Sequence, residues 1–313
     1  MDIVRTEPLM SPPEPTTEIT PELARKRKSQ GRLILERFLR NRTAVAGFIF
    51  LALLTIVAFL TPFITHQTAS YDPSSAQDLN AILQGPSAAH PLGTDALGRD
   101  ELARVLFGAR VSLEVGIVSM FVSLVIGVVV GSLAGYYGGW IDALMMRVTD
   151  AFLATPLYLV LFVLSIAFSR GTVTTVVILI GALSWASAAR IVRSEFISIK
   201  QREFLLAART LGADDFRLMF MHILPNAAGP ILVTVTLLIG NNIITESVLS
   251  FFGFGLQAPQ ASWGTLLNDS QSYIVSDPLL LYVPLLAIIL TVLSFNLMGD
   301  GLRDALDPYM TQR

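Results

Sequence analysis

The chain has 313 residues, of which 53% are hydrophobic and only 15% charged, and its formal net charge is −2. Soluble domains carry about 25% charged residues, so this composition excludes an ordinary soluble globular protein and indicates a polytopic membrane protein with no nucleic-acid partner. The absence of cysteine excludes disulfides and thiolate metal sites, and three scattered histidines (His66, His90 and His222) argue against a histidine-rich metal site.

The N-terminal tail, residues 1–42, divides into two parts. Residues 11–22 are rich in Pro, Thr and Glu, which predicts disorder. The basic part that follows predicts a helix with one apolar side, formed by Ile34, Leu35, Phe38 and Leu39. Such a helix is expected to lie on anionic membrane lipid. A charge cluster that sets the orientation is the simpler interpretation, and we favour it.

Six segments are apolar over the roughly 20 residues that a helix needs to cross a bilayer. They are residues 43–65, 115–140, 151–169, 171–189, 227–251 and 278–299. Because lipid offers the backbone no hydrogen bonds, they predict an all-α protein with six transmembrane helices. The first span is expected to remain as an anchor, since the tail ahead of it is too long for a signal peptide.

The basic residues predict the orientation. With a cytoplasmic N-terminus, 18 of the 22 Lys and Arg residues fall on the cytoplasmic side. The predicted order after the tail and the first span is an extracytoplasmic loop at 66–103, a five-helix core at 104–300 and a cytoplasmic tail at 301–313. The core contains a long cytoplasmic loop at 190–226. Both termini are therefore expected in the cytoplasm.

Charged residues precede the second span. Asp95, Arg99 and Asp100 resemble a catalytic carboxylate group, but no nucleophile or metal-ligand spacing accompanies them. Ion pairing and helix capping are the favoured interpretation, with a helix starting near Asp100.

Within the second span, Gly127, Gly131 and Gly135 form a GxxxGxxxG pattern on one helix face. Small residues allow a second helix to approach closely in lipid, so the pattern predicts a tight helix contact. A partner chain and a helix of the same chain are equally allowed.

Four acid or amide side chains fall inside spans, where they are costly and mark candidate functional positions. They are Asn241, Asn242 and Glu246 in the fifth span and Asn296 in the sixth. A translocation pathway and interhelical hydrogen bonds are equally allowed for the asparagines. Glu246 lies near the outer end of its span, where an acid is expected to reach water.

The cytoplasmic stretch 204–226, FLLAARTLGADDFRLMFMHILPN, predicts two short helices. In a helix over 203–211, one face carries Phe204, Ala207, Ala208 and Leu211 and is expected to receive a second helix. Leu205 and Leu206 are expected to point away from that face, toward solvent. The segment either lies flat on the membrane or docks a cytoplasmic partner.

Gly212 is predicted to end the first helix in a left-handed conformation, and Asp214 or Asp215 to cap the second. One side of the second helix is predicted to carry Phe216, Met219, Phe220 and Ile223. Pro225 suits the start of the next span.

This stretch resembles the EAA loop of ABC importer permeases, E-A-A, three residues, G, nine residues, then I-x-L-P. The matching positions are Ala207, Ala208, Gly212, Leu224 and Pro225. Further blocks, such as HPLGTDALGRDELARVLFGARVSL and LSFFGFGLQAPQASWGTLL, extend the resemblance over nearly the whole chain. Together they resemble the C-type permease of dipeptide, oligopeptide and nickel ABC importers.

The resemblance implies a type I permease fold and a non-catalytic subunit without a bound cofactor, in the inner membrane of a bacterium. The implied partners are a B-type permease, two cytoplasmic ATPases that use ATP and Mg²⁺, an extracytoplasmic binding protein and a peptide substrate. Nickel chelates, glutathione and oligosaccharides are alternative cargoes. The chain itself has no GxxxxGK[ST] phosphate loop.

Two other functions are weaker. An ion-coupled secondary transporter calls for internal repeats and mid-span carboxylates, and a membrane hydrolase for motifs such as HExxH; the sequence has neither.

The sequence departs from the EAA pattern at two positions. Leu206 stands where the family has glutamate, and His222 where it has isoleucine. We hypothesise that Glu203, about 60° round the helix, supplies the polar contact with the ATPase and Leu206 an apolar one. The residues expected at this contact are Glu203, Leu206, Ala207, Ala208, Gly212, Asp214, Asp215, His222, Leu224 and Pro225.

Overall fold

The computed structural model describes residues 30–64, 78, 80–168, 171–257 and 260–306. Within these ranges the regular structure is helical, apart from an isolated antiparallel bridge between Thr94 and Asp100. The predicted disordered stretch 11–22 lies outside the described residues, as does the end of the C-terminal tail.

Seven helices are described in the first two thirds of the chain. They are α1 (Gln30–Arg40), α2 (Arg42–Ile64), α3 (Glu101–Tyr137), α4 (Gly139–Ala154), α5 (Leu157–Phe168), α6 (Val173–Leu183) and α7 (Trp185–Lys200).

Short elements follow, and then two long helices. They are α8 (Glu203–Thr210), α9 (Asp215–Arg217), a π-helical turn (Leu218–Ile223), α10 (Leu224–Asn226), α11 (Ala228–Phe251), α12 (Trp263–Ser270), a 3₁₀ turn (Gln271–Tyr273) and α13 (Leu279–Leu306).

Among the described residues, four single helices, α2, α3, α11 and α13, are long and apolar enough to cross a membrane. Two bent pairs also qualify, α4 with α5 at 85° and α6 with α7 at 42°, which makes six spans if each pair counts as one. The all-helical, multi-span prediction is confirmed. The third predicted span, 151–169, straddles the sharper bend, because Pro156 disfavours a helical conformation at Thr155, whose φ and ψ are −84° and 133°.

The predicted helix start near Asp100 is confirmed. Asp100 is the N-cap of α3, and its carboxylate accepts a hydrogen bond of 3.0 Å from the Leu102 N–H. The 37 residues of α3 give a length of about 55 Å. This exceeds the ~30 Å hydrocarbon core, so α3 is longer than a span requires.

The centre of the bundle is α11. In its most apolar window 61% of residues are buried, against 39% or less in α2, α3 and α13. It packs against α3, α12 and α13. The remaining exposed stripe of α11 is narrow and includes Leu237, Asn241 and Ile244.

The three-glycine face of α3 packs against α7 of the same chain. A Cβ on Gly127 would lie 2.8 Å from the Ala188 Cβ, and one on Gly135 would lie 2.7 Å from the Phe196 Cβ. A Cβ on Gly131 would lie 2.5 Å from the Ala189 carbonyl oxygen. The predicted tight contact is therefore internal, and the backbones of the two helices touch along it.

Gly131→Ala is expected to lower the free energy of unfolding by about 1–3 kcal/mol, because the added methyl group pushes α3 away from α7. Gly229→Ala is the matched control, since a Cβ there meets its nearest atom at an ordinary 3.6 Å. Thermal unfolding in detergent checks both variants. Equal stability of the two variants would show that the glycine contact is not close enough to matter.

Candidate functional site

The segment between α7 and α11 forms two short helices around a glycine bend, close to the predicted bounds. Helix α8 ends at Thr210, and Gly212 adopts a φ of 86°, so the predicted left-handed conformation is confirmed. Asp214 is the cap of the second helix, and its carboxylate accepts a hydrogen bond of 3.0 Å from the Arg217 N–H. We call residues 203–226 the coupling segment.

The buried side of α8 differs from the prediction. Leu205 is buried and Ala208 half-buried, whereas Phe204, Ala207 and Leu211 are exposed. The prediction for Leu205 was wrong and that for Leu206, which is exposed, is confirmed. Periodicity groups residues by face, but the angle at which α8 leaves α7 decides which face is buried.

The second helix also differs, for a different reason. Residues Leu218–Ile223 form a π-helical turn, which changes the angle between successive side chains. Met219 and Ile223 are buried as one face, together with Leu218, but Phe216 and Phe220 are exposed. The predicted grouping of all four assumed an undistorted α-helix and was wrong for the two phenylalanines.

Six large apolar side chains of the coupling segment are exposed. We call this set the apolar patch: Phe204, Leu206, Leu211, Phe216, Phe220 and Met221. Leu211 is 88% exposed and Leu206 56%. The rings of Phe216 and Phe220 pack at 4.6 Å between centroids. A group of exposed large apolar side chains in a segment outside the spans indicates a contact surface for another molecule.

The other side of the coupling segment is anchored to the membrane helices. Leu205, Leu218 and Ile223 pack into an apolar cluster that includes Phe196 of α7. The Tyr136 hydroxyl, at the end of α3, donates a hydrogen bond of 2.5 Å to the Asp215 carboxylate.

Lys200 reinforces this attachment. Its ammonium group donates to the Tyr136 carbonyl oxygen and lies 5.3 Å from the centre of the Tyr136 ring. The guanidinium of Arg209 is 3.8 Å from the Asp215 carboxylate. A displacement of the coupling segment would therefore be passed on to α3 and α7.

Most of the other residues predicted at the ATPase contact are also accessible. Glu203, Ala207, Gly212, Asp214 and Pro225 are exposed, and His222 and Leu224 are partly exposed. The amide of Asn226 donates a hydrogen bond of 2.6 Å to the His222 carbonyl oxygen, which closes the segment before α11 begins.

The four acid and amide side chains inside spans occupy different surroundings. Asn241 is exposed on α11, and Asn296 is partly exposed on α13. Asn242 is buried, and among the described residues its Nδ2 has no hydrogen-bond partner. Glu246 is completely buried, so the expectation that it reaches water was wrong.

The charged residues before the second span form the expected ion pairs. Asp95 accepts hydrogen bonds of 2.6 Å from Arg99 and 2.7 Å from Arg104. Arg104 also donates a hydrogen bond of 2.7 Å to Asp269, at the end of α12. These residues and Glu101 line a cavity of about 360 Å³.

Sequence reasoning missed residues that join distant parts of the chain. They are Tyr136 and Lys200 at the coupling segment, Arg104 and Asp269 beside the cavity, and the serines around Glu246 (Ser112, Ser247, Ser250 and Ser262). Only Ser250, one helical turn after Glu246, gave a local signal.

Two families match the chain. Residues 127–312 match the family described as binding-protein-dependent transport system inner membrane component. Residues 29–86 match the N-terminal transmembrane domain of oligopeptide transport permease C. The two matches contain both the coupling segment and the first span.

Curated relatives match over most of their length. A glutathione transport system permease protein, GsiD from Pectobacterium atrosepticum, is 43% identical over 87% of this chain and 89% of its own. A dipeptide transport system permease protein, DppC from Alkalihalophilus pseudofirmus, is 39% identical over 99% of both. The solved inward-facing MetNI methionine ABC transporter aligns with a TM-score of 0.54 and 20% identity, over 66% of this chain and 98% of that one, which supports the fold.

Proposed function

Because this chain belongs to the family of binding-protein-dependent transport system inner membrane components, as the C-type permease of a peptide-type ABC importer, we propose that its cargo is a dipeptide or oligopeptide. It is a non-catalytic transmembrane subunit, and its family works with ATPases, a second permease and a binding protein. We further propose that the second permease is of the B type and that two ATPases bind from the cytoplasm.

The observation that carries this proposal is the apolar patch on an anchored coupling segment. Six large apolar side chains face outward on a segment that lies outside the spans. The same segment is fixed to α3 by Tyr136 and Asp215, and Lys200 of α7 holds Tyr136. An ATPase that moves this patch therefore moves the spans, which is the coupling that ATP-driven transport needs.

The Lys and Arg distribution supports an orientation with the coupling segment and both termini in the cytoplasm, in a bacterial inner membrane. In this orientation α12 and the loop at residues 80–100 lie outside, where a binding protein would dock. The amphipathic character of α1 supports a position along the inner membrane surface.

The exposed stripe of α11 supports a place for the translocation pathway. Asn241 lies on this stripe beside Leu237 and Ile244. An asparagine facing lipid is costly, so the stripe faces the second permease or the pathway between the two. Asn296 on α13 and the buried Asn242 and Glu246 lie behind it in the same bundle.

Glutathione is the second candidate cargo. A relative named as a glutathione permease and one named as a dipeptide permease are similar to this chain to nearly the same degree. Both cargoes are short peptides, so one pathway suits either.

Uptake into proteoliposomes tests the proposal. The chain is reconstituted with its second permease, its ATPases and its binding protein, and uptake of labelled dialanine, a tetrapeptide, glutathione and a nickel chelate is compared. We expect ATP-dependent uptake of a peptide, and its loss when the phosphate-binding lysine of the ATPase is replaced.

Two results would contradict the proposal. Uptake that persists with the inactive ATPase and follows an ion gradient would indicate a secondary transporter. Uptake of the nickel chelate alone would keep the family and overturn the cargo.

A further inference from the structure

The helix α12 is short, and most of its side chains are buried. Trp263 and Leu266 are almost completely inaccessible, and the helix packs against α3, α11 and α13. The Trp263 ring nitrogen donates a hydrogen bond of 3.0 Å to the Val105 carbonyl oxygen. An eight-residue helix is too short to span a bilayer, so α12 fills the space between the outer ends of three long helices.

The N-terminal end of α12 is built around one carboxylate. Glu246 is completely buried, and no basic group contacts its carboxylate among the described residues. Serine hydroxyls donate to it instead: Ser262 at 2.7 Å, Ser250 at 2.8 Å and Ser112 at 3.2 Å, while the Ser247 hydroxyl lies 3.5 Å away. They come from α3, α11 and the cap of α12.

Three of these serines connect the carboxylate to the backbone, because each donates to Glu246 and accepts a hydrogen bond from a backbone N–H. Ser250 accepts a hydrogen bond of 3.1 Å from the Leu256 N–H, and Ser112 one of 3.2 Å from the Trp263 N–H. Ser262 accepts from the Thr265 N–H at 3.2 Å, as the cap of α12. Each hydroxyl has one hydrogen, which it donates in the hydrogen bond to Glu246. Its oxygen lone pairs can therefore accept a hydrogen bond from a backbone N–H.

The packing leaves this region no room to shift. A Cβ on Gly264 would lie 2.7 Å from the Ser247 Cα, and one on Gly255 would lie 2.6 Å from the Ser250 nitrogen. The turn after α11 is also attached to the residues before α6, because the Gln257 N–H donates a hydrogen bond of 3.0 Å to the Gly171 carbonyl oxygen.

The C-terminal end of α12 is held by charges. Asp269 accepts from Arg104, which also donates to Asp95 of the segment 80–100. The helix is thus fixed at both ends, and it joins the segment 80–100 to the turn at 271–278. These two segments form the outer surface beside the cavity.

We propose that Glu246 is a positioning residue for the response to the binding protein: through Ser112, Ser250 and Ser262 it fixes α12, and thereby the outer surface formed by residues 80–100 and 271–278. The inference rests on the proposed function, since it takes the binding protein as the partner on that side. It assigns Glu246 to the outer half of the importer and not to coupling with the ATPases.

The test uses the full importer in nanodiscs. ATPase activity is measured against the concentration of binding protein loaded with dialanine, for the wild type, Glu246→Gln and Ser262→Ala. Glutamine replaces one acceptor oxygen of the carboxylate with an NH₂ donor group. The serine hydroxyls on that side also donate, so their hydrogen bonds to residue 246 are lost. We expect the half-stimulating concentration to rise about tenfold for Glu246→Gln, with less than about a twofold change in the maximal rate.

Thr245→Val is the matched control. Thr245 is buried beside Glu246, but within the described part of the chain its hydroxyl donates to the Asn241 carbonyl oxygen and not to the carboxylate. We expect wild-type stimulation from this variant. Ser262→Ala, which removes one hydroxyl, is expected to shift the half-stimulating concentration in the same direction as Glu246→Gln, by a smaller factor.

Hydrogen–deuterium exchange locates the effect without the binding protein. In Glu246→Gln, exchange of the Leu256 and Trp263 amides is expected to accelerate about tenfold. The coupling segment is expected to exchange as in the wild type.

Failure of the proposed function and failure of the positioning role of Glu246 give different results. If binding protein loaded with dialanine, with the tetrapeptide or with glutathione does not stimulate the wild type, the proposed function fails. If it does, and Glu246→Gln responds like Thr245→Val, the positioning role is refuted. A fall of the maximal rate alone, or faster exchange in the coupling segment, would also refute it.

Discussion

Replacement of Leu206 by aspartate is expected to reduce ATP-driven uptake at least about tenfold, which corresponds to a loss of ~1.4 kcal/mol or more at the docking surface. Leu206 is 56% exposed in the apolar patch, and it occupies the position where the EAA pattern has glutamate. A carboxylate placed among apolar side chains is desolvated on docking without gaining a partner.

Three matched variants separate this effect from others. Leu206→Met keeps the apolar contact and should transport normally. Gln201→Glu adds the same charge at an exposed position outside the patch and should also be harmless. Glu203→Gln removes the proposed polar contact alone, with an expected smaller loss. The measurements are uptake, stimulated ATPase activity and co-purification of the ATPases; unaltered coupling in Leu206→Asp would refute the assignment of the patch.

Local features of the coupling segment were predictable from the sequence. A glycine that follows a helical pattern predicts a left-handed end, and an aspartate two residues later predicts a cap, because both depend only on neighbouring residues. Gly212 and Asp214 therefore lie where expected. The bounds of α8 differ from the prediction by one residue.

The buried face of the same segment was not predictable. Which side of α8 meets the core depends on the angle between α7 and α8, which follows from packing against Phe196 and Ile223. Sequence periodicity carries no information on that angle, so Leu205 was misplaced. The π-helical turn after Arg217 has no signature in the sequence, so Phe216 and Phe220 were misplaced as well.

Contacts between residues that are distant in the sequence were predictable only in part. The glycines of α3 predicted a close helix contact, but the choice of α7 as the partner emerged only from the fold. Glu246 and Ser112 are 134 residues apart in the sequence. An acid near the end of an apolar span indicates exposure to water equally well, and only the fold brings the serines that bury it.

Arg104→Met is expected to lower the free energy of unfolding by about 3–5 kcal/mol, the usual cost of removing one partner from a buried ion pair. Arg104 is buried and donates to two acids, Asp95 and Asp269, both at 2.7 Å, and its guanidinium lies 3.9 Å from the Glu101 carboxylate. Methionine fills similar space without the charge, which leaves Arg99 as the one base in the cluster of described residues. Thermal unfolding in detergent, followed by tryptophan fluorescence, measures the loss.

The loss of stability is compared with that caused by the same substitution in an exposed arginine–carboxylate ion pair. Arg32 and Glu36 form an exposed pair at 3.2 Å on α1, and Arg32→Met is expected to cost less than about 1 kcal/mol. Combining Arg104→Met with Asp269→Asn should recover part of the loss, because Arg99 then remains paired with Asp95 and one acid fewer is left without a partner. If Arg104→Met is as mild as Arg32→Met, the ion pairs of Arg104 do not hold α12, and its position depends on the Glu246 end alone.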